Sequence, residues 1–373
     1  MTRHPGLDAA RATAIVLVVA GHAALSYLVT PIGWAIQDSS HHIAFDVGVF
    51  FVSAFIMPAF FWLSGYFARG VYLQRGPAGY LRHRATRLAV PIAVAIVPCS
   101  LALDALWDWG RELAVRQTVD AGIPKLEGSK LPITLGHLWF LYYVLIISIV
   151  VLIAVELARR LWRPRPGTVS AMWIVPAAAV ASTLVLVESR AWHLDTPLGF
   201  PIHLRALVYF TAFFGWGWAV HAHPGELERY ARHAWRALVV SLGFFAGILP
   251  ALVERGDRAP VFASVASGGF TVALVIGFLG LCVGRVRSRK PAVALISGAS
   301  YWTYVVHLPL VVLLQIELTR VGWPALIEYL VIVGVTMAVC TVSYAGFARV
   351  RGSLAAARRA RGTEGPARSA HTP

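Results

Sequence analysis

Arg11 and His22 stand out because they interrupt the first apolar stretch of the sequence, LDAARATAIVLVVAGHAALSYL over residues 7–28. They are eleven positions apart. An α-helix turns by about 100° per residue, so both side chains lie on one face, about 16 Å apart along the axis. An imidazole can accept a proton near neutral pH, and a polar side chain at membrane depth usually has a function. We therefore predict that this pair is catalytic; a snorkelling arginine and a packing histidine are the alternatives.

A second polar pair lies at the start of the next apolar segment. The stretch HHIAFDVGVFF places His42 and Asp46 four residues apart, on one face of a helix. A metal site would need a third ligand, which this stretch does not supply, so we expect no metal. We predict that His42 and Asp46 line the approach of a substrate, with an ordinary loop as the alternative.

Polar and aromatic side chains also occur together in two later apolar segments. GHLWFLYYVL opens one segment with His137 and Trp139, and SYWTYVVHLPL places Tyr304 and His307 on one helical face of another. An aromatic belt at the membrane interface would by itself explain Trp139. We predict that all four residues line the outer approach of a substrate.

Three arginines follow one another closely in YLRHRATRLAVP, at Arg82, Arg84 and Arg87. A guanidinium group presents a planar set of donors that matches phosphate oxygens. The cluster therefore predicts a site for an anionic, nucleotide-like ligand. Lipid headgroups and simple topology signals are the alternatives.

The composition indicates an integral membrane protein, because 58% of the 373 residues are hydrophobic and only 14% are charged. The predicted fold is all-α, a polytopic bundle of about ten transmembrane helices. The apolar runs lie near residues 12–29, 48–67, 88–106, 137–157, 170–187, 203–220, 237–253, 261–283, 293–316 and 326–348.

The distribution of positive charge predicts the orientation. With the N- and C-termini in the cytoplasm, 24 of the 33 lysines and arginines fall on the inner side, as the positive-inside rule requires. We predict a membrane domain over residues 1–350 and a disordered basic cytoplasmic tail over 351–373. The net charge of +15 is therefore explained by membrane lipid rather than by nucleic acid. The sequence is compatible with a homo-oligomer.

Four blocks, taken in order, resemble the membrane acyltransferase-3 family, and within it the glucan biosynthesis protein C branch. These blocks are LDAARATAIVLVVAGH, MPAFFWLSGYF with YLRHRATRLAVP, HLWFLYYVL, and SYWTYVVHLPL. The family's usual first block has glycines where this chain has Ala10 and Ala12, which weakens any transfer of the glucan substrate.

The resemblance implies an O-acyltransferase in a bacterial inner membrane. Its donor would be cytoplasmic acyl-CoA, of acetyl or succinyl type, and its acceptor a hydroxyl of a carbohydrate or related molecule. Phosphates of the donor would then be held by Arg11, Arg82, Arg84 or Arg87, and His22 would act as general base or as a covalent acyl carrier. The competing hypothesis is a transporter or proton-coupled channel that uses the intramembrane arginine and histidines.

Overall fold

The protein is an all-α bundle, which confirms the predicted fold class. The computed structural model describes residues 4–30, 32–116, 133–162, 171–223, 225–253, 259–288 and 290–362. The α-helices within these ranges are α1 (Pro5–Ala24), α2 (Ile43–Arg84), α3 (Val90–Arg116), α4 (Trp139–Trp162), α5 (Ala171–Ser189), α6 (Leu204–Val220), α7 (Gly225–Val253), α8 (Val261–Arg285), α9 (Pro291–Thr319) and α10 (Ala325–Gly362).

The helices are long and apolar enough for a multi-pass membrane protein. Seven helical stretches of the described chain meet the length and hydropathy needed to cross a membrane. One of these, Ile43–Leu113, contains two of the predicted spans, and the predicted fifth and sixth spans correspond to the shorter apolar helices Trp173–Ser189 and Leu204–Val220. Each of the ten predicted spans therefore has a helical counterpart.

The connection between the second and third predicted spans is helical. Only Gly76 departs from helical geometry within α2, with φ 66° and ψ 179°. This backbone conformation is open to glycine and strained for other residues. Pro77 follows and has no N–H to donate, so the helix is interrupted at this pair. A π-helical turn over Ala85–Ala89 then leads directly into α3.

One end of the bundle gathers many of the arginines, and we call it the Arg-rich end. It contains the start of α1, the Gly76 break, the ends of α4, α6 and α8, and the start of α9. Hydrogen bonds connect these segments: for example, Arg69 donates to the Trp218 carbonyl at 3.2 Å, and Arg159 donates to the Tyr72 hydroxyl at 2.6 Å. Segments that the positive-inside rule assigns to one side therefore do lie together.

Small residues allow α2 and α6 to pack closely. A Cβ atom at Gly65 would collide with the Phe214 carbonyl oxygen, and one at Gly217 would collide with the Trp62 carbonyl oxygen. Large aromatic side chains fill the core on either side of this contact, including the fully buried Trp62. Such close backbone approach at glycine is typical of helix pairs in membranes.

The last helix extends into the segment predicted to be a disordered tail. Helix α10 ends at Gly362, and residues 363–373 lie outside the described residues. The tail's disorder and the division at residue 350 stay predictions.

Candidate active site

A pocket of about 490 Å³ opens at the Arg-rich end and contains Arg11. Helices α1, α2 and α9 form most of its wall, and His221 contributes from the end of α6. The lining residues are His4, Leu7, Asp8, Arg11, Tyr66, Phe67, Gly70, Leu73, Gln74, His221, Ala294, Ser297 and Gly298. The pocket thus combines charged side chains with aromatic rings.

Arg11 is held in this pocket from two sides. One guanidinium nitrogen donates to the Ser300 hydroxyl oxygen at 3.1 Å, and the guanidinium carbon lies 5.6 Å from the centre of the Phe67 ring. The Ser300 hydroxyl in turn donates to the Ser297 carbonyl oxygen at 2.8 Å. Arg11 is half-buried, so its charge is fixed in position beside the cavity.

His221 is half-buried at the pocket wall. Its ring lies 4.9 Å from the Tyr66 ring, centre to centre. Burial lowers the pKa of His221 below its ordinary value, and the positive charge of Arg69 lowers this pKa further. The neutral form of His221 is therefore favoured, and Arg11 is the principal positive charge of the pocket wall.

His22 lies further along α1 and meets a second histidine, as their separate positions in the sequence could not show. The Nδ1 atom of His22 is 3.3 Å from Nε2 of His307, and the two ring centres are 5.0 Å apart. His22 is half-buried, whereas His307 is fully buried. His22 is not among the residues that line the Arg11 pocket.

A third imidazole, His137, lies beyond His307. Their ring centres are 5.5 Å apart, and Nε2 of His137 lies 2.9 Å from the Val305 carbonyl oxygen. The Tyr304 hydroxyl donates a hydrogen bond to the His137 carbonyl oxygen. The structure therefore brings four predicted site residues together: His22, His137, Tyr304 and His307.

Sequence reasoning missed two residues beside His22, namely Trp34 and Gln315. The Gln315 side-chain nitrogen donates to the carbonyl oxygens of His22 at 3.0 Å and of Ala23 at 3.1 Å. Its side-chain oxygen accepts from Nε1 of Trp34 at 2.9 Å. The ring centres of Trp34 and His22 are 6.2 Å apart. The one available signal was an amide in the apolar run VVLLQIEL of α9.

His42 and Asp46 have structural partners at the start of α2. His42 accepts a hydrogen bond from the Ala44 backbone N–H at 3.1 Å. The two carboxylate oxygens of Asp46 accept from the backbone N–H groups of Val29 at 2.9 Å and Thr30 at 3.1 Å. The Asp46 bonds join the end of the first span to α2, and the His42 bond caps the start of α2, so we leave both residues out of the proposed site. Among the described residues, no three potential metal ligands lie close enough together to hold an ion.

Trp139 lies in the core of the bundle. Its exposed fraction is 5%, and its ring packs against Phe61 and Phe210. Because these rings cover it, we also leave Trp139 out of the proposed site.

The three clustered arginines differ in their exposure to solvent. Arg84 is buried, and its guanidinium carbon lies 5.0 Å from the centre of the Tyr80 ring. Arg82 and Arg87 are exposed, and Arg82 lines a second cavity of about 470 Å³ with Arg75. None of the three lines the Arg11 pocket, so their role in holding a donor phosphate stays a prediction.

Comparison with known proteins gives one match. A family model described as an acyltransferase domain, that of the acyltransferase-3 family, matches residues 4–345. The searches of curated proteins and of solved structures give no match. The match favours the predicted acyltransferase over the transporter alternative. Because it spans most of the chain and includes both the Arg11 pocket and the His22 cluster, this membrane protein belongs to the acyltransferase-3 family.

Proposed function

We propose that the protein moves an acetyl- or succinyl-type group from cytoplasmic acyl-CoA to a hydroxyl of a carbohydrate or related acceptor. One observation carries this proposal: helix α1 presents Arg11 to the open pocket and, on the same face, presents His22 to the buried His307. A binding region and a region with acid–base chemistry are thereby joined on one helix. A glucan is one candidate acceptor, because the sequence resembles the glucan biosynthesis branch of the family.

The donor enters at the Arg-rich end, which the positive-inside rule assigns to the cytoplasm. Arg11 and the aromatic side chains of the pocket hold it there, since guanidinium groups bind phosphate and aromatic faces stack on flat rings. The rise of α1 between Arg11 and His22 is about 16 Å. An extended pantetheine arm has a comparable length, so a thioester anchored near Arg11 reaches the level of His22.

His22 acts as general base on the acceptor. The acceptor oxygen attacks the thioester carbonyl carbon while its proton passes to His22. The carbon–sulfur bond breaks, an ester forms, and the thiolate takes the proton from the imidazolium to leave as free coenzyme A. In the covalent variant, a nitrogen of His22 attacks the thioester carbonyl carbon, and the carbon–sulfur bond breaks to release the coenzyme A thiolate. The acceptor oxygen then attacks the acyl group, the acyl–nitrogen bond breaks, and the hydroxyl proton passes to the thiolate.

The acyl group and the acceptor are identified by comparing a deletion strain with its parent. Mass analysis of glycans and lipids should reveal a product that lacks one acyl group in the deletion strain. A strain whose glycans and lipids keep every acyl group would contradict the proposal.

The role of His22 is tested with purified protein in lipid nanodiscs, supplied with acetyl-CoA or succinyl-CoA and extracts of the deletion strain. We expect His22→Gln to abolish acceptor-dependent release of coenzyme A. The matched control is His203→Gln, because His203 is exposed just before α6. Equal release from the two variants would exclude His22 from the reaction.

A further inference from the structure

The hydrogen positions on His307 follow from its neighbours. Its Nδ1 atom lies 2.7 Å from the Tyr304 carbonyl oxygen and 3.1 Å from the Thr303 carbonyl oxygen. A carbonyl oxygen has no hydrogen to donate, so Nδ1 must carry the hydrogen. In a neutral imidazole the other nitrogen is then an acceptor. Nε2 of His307 therefore presents a lone pair to His22.

The same reasoning fixes the hydrogen on His22. Its Nδ1 atom faces two acceptors, the Val18 carbonyl oxygen at 2.9 Å and Nε2 of His307 at 3.3 Å. With the hydrogen on Nε2 instead, the Nδ1 lone pair would face both acceptors, which is unfavourable. Nδ1 of His22 thus carries the hydrogen and shares it between helices α1 and α9.

We propose that His307 is a positioning residue that holds the His22 ring with Nε2 as its basic nitrogen. This inference rests on the proposed function, in which His22 takes a proton from the acceptor. Within the described residues, no hydrogen bond occupies Nε2 of His22, and this nitrogen lies on the opposite side of the ring from Val18. This orientation assigns the proton transfer to Nε2 of His22, and the covalent variant would use the same atom.

His307 supplies what Val18 alone cannot. The Val18 carbonyl belongs to the same helix as His22, one turn earlier, so its hydrogen bond leaves the ring free to move with α1. His307 belongs to α9, is fully buried, and meets the His22 ring edge-on, with an interplanar angle of 67°. When His22 becomes an imidazolium, its Nδ1–H bond to His307 becomes charge-assisted and therefore stronger.

The hydrogen positions are measured by nitrogen-15 NMR on the full chain, labelled at histidine and reconstituted in lipid bilayers. Protonated and unprotonated imidazole nitrogens have well-separated shifts, and His22→Gln identifies the His22 signals by their loss. We expect one neutral form of His22, protonated at Nδ1. A neutral His22 protonated at Nε2 would overturn the proposal, and this wild-type measurement does not depend on any variant.

Three variants then isolate the contribution of His307. His307→Phe removes the acceptor, so the His22 signals should divide between two neutral forms. His307→Gln offers an amide oxygen near the same place and should restore the single form. His137→Gln is the control, because His137 contacts the His307 ring, and it should leave the His22 signals unchanged. Unchanged His22 signals in His307→Phe would mean that Val18 suffices and would overturn the role of His307.

These measurements use no acyl donor or acceptor. The expected NMR result combined with an active His22→Gln enzyme would therefore contradict the proposed function alone. In the converse result, the His22→Gln enzyme is inactive and His22 of the wild-type protein is protonated at Nε2. This result would contradict only the positioning role.

Discussion

The two ends of the α1 face that carries Arg11 and His22 differ in how they are packed. Around Arg11 the helix borders an open cavity of about 490 Å³, whereas around His22 it meets a fully buried histidine and a fully buried glutamine. An open, charged cavity suits a ligand that enters and leaves. A packed cluster suits a side chain that must keep one orientation during a reaction. In the proposed function, donor binding and chemistry therefore fall on separate turns of one helix.

His22→Gln should show the largest effect, and it should lower the turnover rate without changing donor binding. Removing a general base typically lowers the rate by about 10²–10⁴-fold. Because the Arg11 pocket does not include His22, the dissociation constant for acyl-CoA should stay unchanged. Calorimetric binding and a coenzyme A release assay measure the two quantities. A variant that binds the donor much more weakly would show that the two regions are not separate.

Arg11→Gln should show the opposite pattern. The loss of a charged hydrogen bond to phosphate costs about 1.5–3 kcal/mol, which corresponds to a donor affinity roughly 10- to 100-fold weaker. Turnover of the saturated enzyme should change much less. Arg11→Lys keeps the charge without the planar set of donors, so its donor affinity should lie between those of the wild type and Arg11→Gln. An Arg11→Gln enzyme with unchanged KM and reduced kcat would place Arg11 in the chemical step instead.

Gln315→Leu should destabilise the His22 end of the helix. The change removes the acceptor of the Trp34 N–H and the side-chain donor to the His22 and Ala23 carbonyls. The His22 carbonyl still accepts from the Leu25 backbone N–H, so we expect a loss of about 1–3 kcal/mol in all. Thermal unfolding in detergent micelles measures the loss. Gln37→Leu is the control, because the half-buried Gln37 makes one side-chain hydrogen bond, to the Leu28 carbonyl at 2.9 Å. Equal losses in the two variants would contradict the central position of Gln315.

Arg82→Gln and Arg87→Gln should show the smallest effects. Both residues are exposed, so each contributes to donor binding at most through a partly screened charge. We expect a KM for acyl-CoA that is raised about two- to fivefold at low salt and less at high salt. Arg205→Gln is the control, because Arg205 is exposed and pairs with Glu188 away from both cavities. A larger increase in this KM than that caused by Arg11→Gln would indicate that the donor binds in the second cavity instead.

Much of this arrangement could be predicted from periodicity alone. The lengths of the apolar runs predicted the helices, and the eleven-residue spacing of Arg11 and His22 placed both on one face of α1. The spacing of Tyr304 and His307 predicted their shared face in the same way. These are local properties of a helix, because its geometry fixes which side chains share a face.

The other features of the site depend on tertiary contacts, which the sequence could not predict. Gln315 and Trp34 lie 281 positions apart in the sequence, and no local pattern links an amide in a helix to an indole in a loop. Arg84 and Arg82 look equivalent in the sequence, yet only Arg84 turns inward to stack on Tyr80. Trp139 fits both an interface aromatic and a core residue until the neighbouring helices are known. The Gly76 break likewise became visible only as a backbone angle.

Helix α1 also fixes the distance between Arg11 and His22 in the proposed reaction. A single rigid element sets the span between the anchoring cation and the imidazole, so loop movements cannot tune it. The carrier arm of the donor then determines where its carbonyl carbon stops, whatever the length of the acyl chain attached. Selectivity among acyl groups must therefore arise beyond His22, where the tail of the group comes to rest.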